Sequence, residues 1–304
     1  MTDTNNRLVT KAHLAFGVFL FLSAIVCWRT LGALIAYSLH HESASHIILI
    51  PLVSAYLLFT ERRMIFTSVR PSVAVGMAVI ILGAAFYWTV NRGVLLLQQD
   101  ESLSAATLAI VLLWIGGFLA FYGRTTTRAA AFPLLFLILM VPLPDRVLDW
   151  TIHLLQQGST EVACLLFNAV GVPVLRQGFV LSVPSVTIEV AAECSGIRSS
   201  IALLITCLLA AHLYLRTPWK IALFILSVFP LAVIKNGVRI VTLTLLSIYV
   251  DPSFLYGNLH RKGGYVFFIL ALLLLLPIFL ALERSESHPL RSKPPQPADL
   301  IAQD

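Results

Sequence analysis

The chain has 304 residues, of which 58% are hydrophobic and 12% charged, and its formal net charge is +6. A mean hydropathy of +0.88 excludes an ordinary water-soluble globule and places the chain in a lipid bilayer. The basic residues form short clusters between apolar runs, which is a signal of membrane topology and excludes a nucleic-acid-binding surface.

Runs of roughly 17 to 25 apolar residues predict membrane helices. In chain order they fall at 14–37, 45–60, 72–90, 103–122, 129–141, 199–215, 219–250 and 264–282. The expected architecture is therefore an all-α polytopic membrane protein with about eight crossings. The first run contains Arg29 and continues through Trp28 without a small-residue cleavage site, so it reads as a span and not as a signal peptide. The second and fifth runs are short. The seventh is too long for one straight span, and Pro230 and Gly237 offer places for a kink.

Between the fifth and sixth runs lies a segment, 142–193, expected outside the membrane. Its first half has helical spacing with polar residues interleaved and suits a small helix on the membrane surface or over the bundle. Its second half is rich in β-branched residues and punctuated by Gly178 and Pro184, which predicts two short strands, a hairpin leading up to Cys194. Residues 1–284 form one transmembrane domain in this reading, and 285–304 a disordered polar tail.

With the N-terminus inside, the inner side receives Arg7, Lys11, Arg62, Arg63, Arg70, Arg124, Arg128, Arg216, Lys220, Arg284, Arg291 and Lys293. Both termini are then cytoplasmic, and segment 142–193 faces the exterior of the inner, cytoplasmic membrane.

The cysteines Cys27, Cys164, Cys194 and Cys207 are scattered with no C-x-x-C pair, so no disulfide framework or zinc cassette is expected. His40, His41 and His46 lack a carboxylate-rich partner segment, and no metal or other cofactor is called for. Three of the cysteines lie in apolar runs as filler. Cys194 differs. In I-E-V-A-A-E-C-S-G-I-R-S-S, residues 188–200, it stands where an extended segment gives way to a helix, among Glu193, Ser195, Gly196, Arg198 and Ser199. A helix start favours thiolate over thiol, and the thiolate is the nucleophile.

Two further polar features are expected at the same membrane depth. Lys235, Asn236 and Arg239 interrupt an apolar helix in I-K-N-G-V-R-I-V, and His260 precedes the last span in Y-G-N-L-H-R-K-G-G-Y. Together they supply the parts for acyl transfer: a thiol to attack a peptide carbonyl, an imidazole to shuttle protons, and a guanidinium to stabilise the oxyanion or orient substrate. The plainer readings are packing for a membrane cysteine, snorkelling for Lys235 and Arg239, and a solvated loop face for His260. A transporter or channel suits the same spans, with intramembrane Arg29 and Lys235, and predicts no dependence on a thiol. A lipid phosphatase or glycosyltransferase is disfavoured, because the chain has neither a paired histidine-and-arginine phosphate signature nor a D-x-D on an outer loop.

The motif E-C-S-G-I-R-S at 193–199, followed by N-G-V-R at 236–239 and the histidine at 260, resembles the exosortase/archaeosortase family of integral membrane cysteine transpeptidases. The likeness extends to S-H-I-I-L-I-P-L-V-S-A-Y-L-L-F at 45–59, V-P-L-P at 141–144 and G-V-P-V at 171–174. The resemblance implies Cys194 as nucleophile, Arg239 as catalytic arginine and His260 as catalytic histidine, with Glu193, Ser195, Gly196, Arg198 and Asn236 as supporting or substrate-binding residues. It implies as partners exported proteins with a C-terminal tripartite sorting signal: a short motif such as Pro-Glu-Pro, a transmembrane helix and a basic cluster. Cleavage near the motif would be followed by transfer to a nucleophile on a surface acceptor, often in bacteria that make exopolysaccharide. A hydrolytic cysteine peptidase without transfer is the nearest alternative.

Overall fold

The computed structural model describes residues 2–256 and 264–286. Helices α1 (Thr2–Val26), α2 (Trp28–His40), α3 (Leu49–Thr60), α4 (Arg62–Ile65), α5 (Val73–Asn91), α6 (Gln99–Ala129), α7 (Ala131–Phe136) and α8 (Asp145–Ala169) lead into a small sheet. The sheet comprises β1 (Leu175–Gln177), β2 (Val180–Val183) and β3 (Val186–Glu189). Helices α9 (Ile197–Tyr214), α10 (Pro218–Leu226), α11 (Val228–Tyr249), α12 (Ser253–Tyr256) and α13 (Gly264–Glu286) follow. The chain divides into two compact units, Met1–Thr151 and Ile152–Asp304.

In the first unit α6 is the central helix. Ala109, Ile110 and Val111 on it are fully buried, and α1, α2 and α5 pack around it. Gly76 of α5 lies against the Ala120 backbone, a close approach that small residues permit in lipid, where no hydrophobic drive brings helices together. Polar pairs tie the helices across the apolar faces: Trp114 Nε1 donates to Ser23 Oγ at 3.0 Å, and the hydroxyls of Thr30 and Tyr87 meet at 2.9 Å. Near one end, His13 Nδ1 and the Tyr122 hydroxyl are 2.7 Å apart within a cluster that includes Phe118 and Ile65. Helical geometry breaks at Gly123, whose φ of +82° is open to glycine and whose missing Cβ leaves room for the Arg70 carbonyl.

In the second unit one apolar core joins Leu203, Cys207 and Ala211 of α9 with Phe224 of α10, Val228 of α11, and Ala271 and Leu275 of α13. A second core lies beneath the sheet, where Leu181, Val183, Val186 and Ile188 meet Ala163 and Phe167 of α8 and Val241 of α11. The strands are antiparallel in the order β1-β2-β3. Leu175 pairs with Ser182 and Val183 with Val186 across two tight turns, the first made by Gly178 at φ +63°.

Among the described residues six helices are long and apolar enough to cross a membrane: Val9–Val26, Val73–Asn91, Gln99–Ala129, Ile197–Tyr214, Pro218–Tyr249 and Tyr265–Glu286. The bent pair Ala131–Met140 and Asp145–Ala169 raises the count to seven if it is one span. The chain is thus a polytopic helical membrane protein with six or seven candidate spans where the apolar runs predict eight. The run at 45–60 delivers only the 12-residue α3, about 18 Å of helix against a hydrocarbon thickness of about 30 Å. The run at 129–141 ends in a 3₁₀ turn at Met140, ahead of Pro142 and Pro144, which cannot donate to a helical ladder. The run at 14–37 is divided at Cys27.

Two local expectations also change. The long seventh run is interrupted at Ser227, between α10 and α11, where Pro230 has no amide to offer the Leu226 carbonyl four residues back; Gly237 lies within unbroken helix. Pro230 lies in the first turn of α11, where an amide donor is not needed. The segment before Cys194 contains three strands and not two, and the helix preceding them runs for 25 residues.

Candidate active site

The path to Cys194 is fixed from behind. Val190 N donates to Phe179 O at 2.9 Å, which extends the β2–β3 pairing by one step, and Val190 O accepts from Gln156 Nε2 of α8 at 2.8 Å. Ala191 is extended, and a 3₁₀ turn, Ala192–Ser195, then carries the backbone of Glu193 and Cys194. The side chains of these two residues lie outside the described part of the structure, as does the whole of His260.

Gly196 closes the turn with φ +77° and ψ 17° and stands at the N-cap of α9, where it offers no capping side chain. Its carbonyl oxygen accepts from the Ser200 amide and from the hydroxyls of Ser199 and Ser200, each at 2.9 Å. A Cβ at this position would lie 3.1 Å from Asn236 Oδ1 and 3.3 Å from Lys235 Nζ. The left-handed backbone and the occupied space both call for glycine.

Asn236 and Lys235 come from the middle of α11 and are 0% and 2% exposed. Lys235 Nζ donates to Ser199 Oγ, and Asn236 Nδ2 donates to Ser159 Oγ of α8 at 3.1 Å. Gly237 lets α11 come close to Val162 of α8. One polar layer therefore runs from Ser159 through Asn236 to the turn that follows Cys194. Arg239 lies one helical turn beyond Lys235, half-buried and engaged within the structure; positions separated by three or four residues share a helix face. Ser195 is 1% exposed, and its hydroxyl has no hydrogen-bond partner among the described residues. Arg198, in the first turn of α9, is exposed.

Of the residues singled out in the sequence, the structure brings together the Cys194 backbone turn, Ser195, Gly196 and Asn236. Glu193 shares that turn by its backbone. The loop toward His260 starts at Asp251, whose Oδ1 accepts from Ser253 N at 2.7 Å; this bond holds the carboxyl below the usual carboxylate range. Ser159 and Gln156 were not singled out. Their only sequence signal is the polar stretch Q-Q-G-S-T at 156–160, one of several polar interruptions in that helix.

A family model for transmembrane exosortases matches residues 28–277. No curated protein and no solved structure matches the chain.

Proposed function

The chain belongs to the transmembrane exosortase family, and on that footing we propose that it is a cysteine peptidase and transpeptidase acting on exported proteins that carry a C-terminal sorting signal. The observation that carries this reading is the contact between the turn bearing Cys194 and the K-N-G-V-R segment of α11. Gly196 lies against Lys235 and Asn236, and the next turn of α11 carries Arg239.

In this reading the Cys194 thiolate attacks the carbonyl carbon of the scissile peptide, and Arg239 stabilises the resulting oxyanion or orients the substrate. The C–N bond breaks as His260 gives a proton to the leaving amine, which leaves a thioester on Cys194. An acceptor nucleophile on a surface carrier then attacks the thioester and releases the thiolate. Glu193, Ser195, Gly196, Arg198 and Asn236 support the turn or the substrate. Thiol acyl transfer of this kind requires no cofactor.

The site would face the exterior of the inner membrane. A substrate held there by its own membrane helix brings its scissile bond to the interface at high effective concentration, without an extensive binding surface. Partial shielding from water would favour attack by an amine over hydrolysis.

The test is processing of a tail-anchored substrate ending in a Pro-Glu-Pro-type motif, an apolar helix and a basic tip. Cys194→Ala and His260→Ala should leave the substrate intact while the enzyme still inserts, and Arg239→Ala should slow processing at least about 100-fold. Cys164→Ser and Cys207→Ser should process normally. Undiminished processing by Cys194→Ala overturns the reading in favour of a thiol-independent membrane protein. Analysis of the new C-terminus of the product separates transfer from hydrolysis.

A further inference from the structure

Lys235 is a buried charge that the acyl-transfer scheme leaves without a task. Its side chain is 2% exposed in the middle of an apolar helix, and no carboxylate of the described residues pairs with it. An ammonium buried in this way is costly unless something compensates it, and within a membrane such a charge is retained for function. Arg239, one turn along the same helix, adds like charge and increases the imbalance.

The acceptors that the described residues bring to the ammonium are neutral: the Ser199 hydroxyl, and beside it the Asn236 Oδ1 amide oxygen. Lys235 Nζ donates to Ser199 Oγ, and Ser199 Oγ in turn donates to Gly196 O at 2.9 Å. The hydrogen-bond chain therefore ends on the residue that closes the cysteine turn, and Nζ itself lies 3.3 Å from where a Gly196 Cβ would be. Beside it, the Ser195 hydroxyl is 1% exposed with no partner among the described residues. The start of α9 contributes the positive end of a helix dipole to the same place. An ammonium, an unpartnered hydroxyl and a helix N-terminus thus meet where the described residues supply no anion.

The elements packed around Lys235 carry other titratable groups. They are Arg239, Tyr249 and Asp251 on or just after α11, Arg198, His212 and Tyr214 on α9, and Glu193 in the turn. Asp145, Arg146, Asp149, His153 and Glu161 lie on α8, Glu189 ends β3, Lys220 is on α10, and Tyr265, Glu283, Arg284 and Glu286 are on α13. Glu161 is 3.7 Å from Arg176, which engages its carboxylate elsewhere. Two groups of the adjoining turn can carry negative charge, the Glu193 carboxylate and the Cys194 thiol, and the thiol stands two residues before Gly196.

We propose that Lys235 is a positioning residue of the thiol site: its buried ammonium, tied by Ser199 to the turn that Gly196 closes, is the counter-charge that keeps the Cys194 sulfur as thiolate. Ionisation releases the thiol proton to water and needs no other reactant. The assignment rests on Cys194 as the nucleophile of the proposed acyl transfer, yet its test reads the thiol and not the acyl transfer.

The experiment uses full-length protein in detergent with Cys27, Cys164 and Cys207 changed to serine, so that Cys194 is the single thiol. Its rate of alkylation by iodoacetamide is followed from about pH 5 to 10. With Lys235 present, the inflection should lie well below the ordinary thiol value of about 8.5. Lys235→Met and Lys235→Gln should each raise it by about one unit or more, and Lys235→Arg should largely preserve it. Lys235→Gln retains a donor for Ser199, so a folded variant with the shifted profile separates charge from scaffolding. Superimposable profiles for the parent and Lys235→Gln overturn the proposal, and so does an ordinary inflection in the parent. Failure of the transpeptidase reading would appear elsewhere, as processing that survives Cys194→Ala.

Discussion

Gly196 is the residue on which the local geometry turns. It adopts a conformation that side chains other than glycine rarely take, with Asn236 Oδ1 and Lys235 Nζ where a methyl group would go. Gly196→Ala should therefore combine backbone strain with displacement of two buried polar side chains, at a cost of about 1–3 kcal/mol. Thermal unfolding in detergent should show the loss, and processing should fall further than stability does, because the turn carries Cys194. An unchanged melting temperature would mean that the turn relaxes freely. The candidate site residues stand out in the sequence because a thiol, an amide and a guanidinium are conspicuous in an apolar chain, and only a few segments hold them. The partners that organise them do not. Ser159 meets Asn236 across a sequence separation that no local pattern encodes, and the bond from Lys235 to Ser199 depends on how far α11 is rotated against α9.

At the level of elements, the strand leading to the cysteine is anchored by α8. Gln156 reaches from that helix to the Val190 carbonyl, and Val190 is itself 2% exposed. Gln156→Leu should leave a buried acceptor unsatisfied, at a cost of about 1–3 kcal/mol. Faster amide exchange across β2 and β3 is the measurement that checks it; exchange unchanged from wild type would show that the hairpin holds without the helix. The elements themselves were read unevenly from the sequence. The run at 103–122 stops where α6 loses helical geometry, at Gly123, because apolar pattern and glycine conformation mark the same boundary. Two strands are expected where three form, because Leu175, Arg176 and Gln177 are all exposed and no alternation of inward and outward residues sets β1 apart. Runs at 45–60 and 129–141 have the composition of a span without its helical length, since hydropathy registers lipid preference and is blind to where the helix ends.

For the whole molecule, the distribution of basic residues predicts which ends face the cytoplasm. In a cysteine-free chain, a cysteine at Thr187 should react in intact cells with a membrane-impermeant maleimide, and one at Ser285 should react only after permeabilisation. The reverse pattern would overturn the orientation and, with it, the outward site. Depth within the bilayer has a different origin. Pro218–Tyr249 spans 32 residues, about 48 Å at helical rise, which exceeds the hydrocarbon layer of about 30 Å by more than half. Roughly 17 residues, or about 26 Å, separate Pro218 from Lys235, so a helix entering the lipid near Pro218 brings the ammonium and its neighbours to the opposite boundary. On that expectation the length of α10 and α11 would act as a gauge: the level at which the protein offers its polar layer would be set by counting residues along the pair, independent of any lipid contact made by the layer itself.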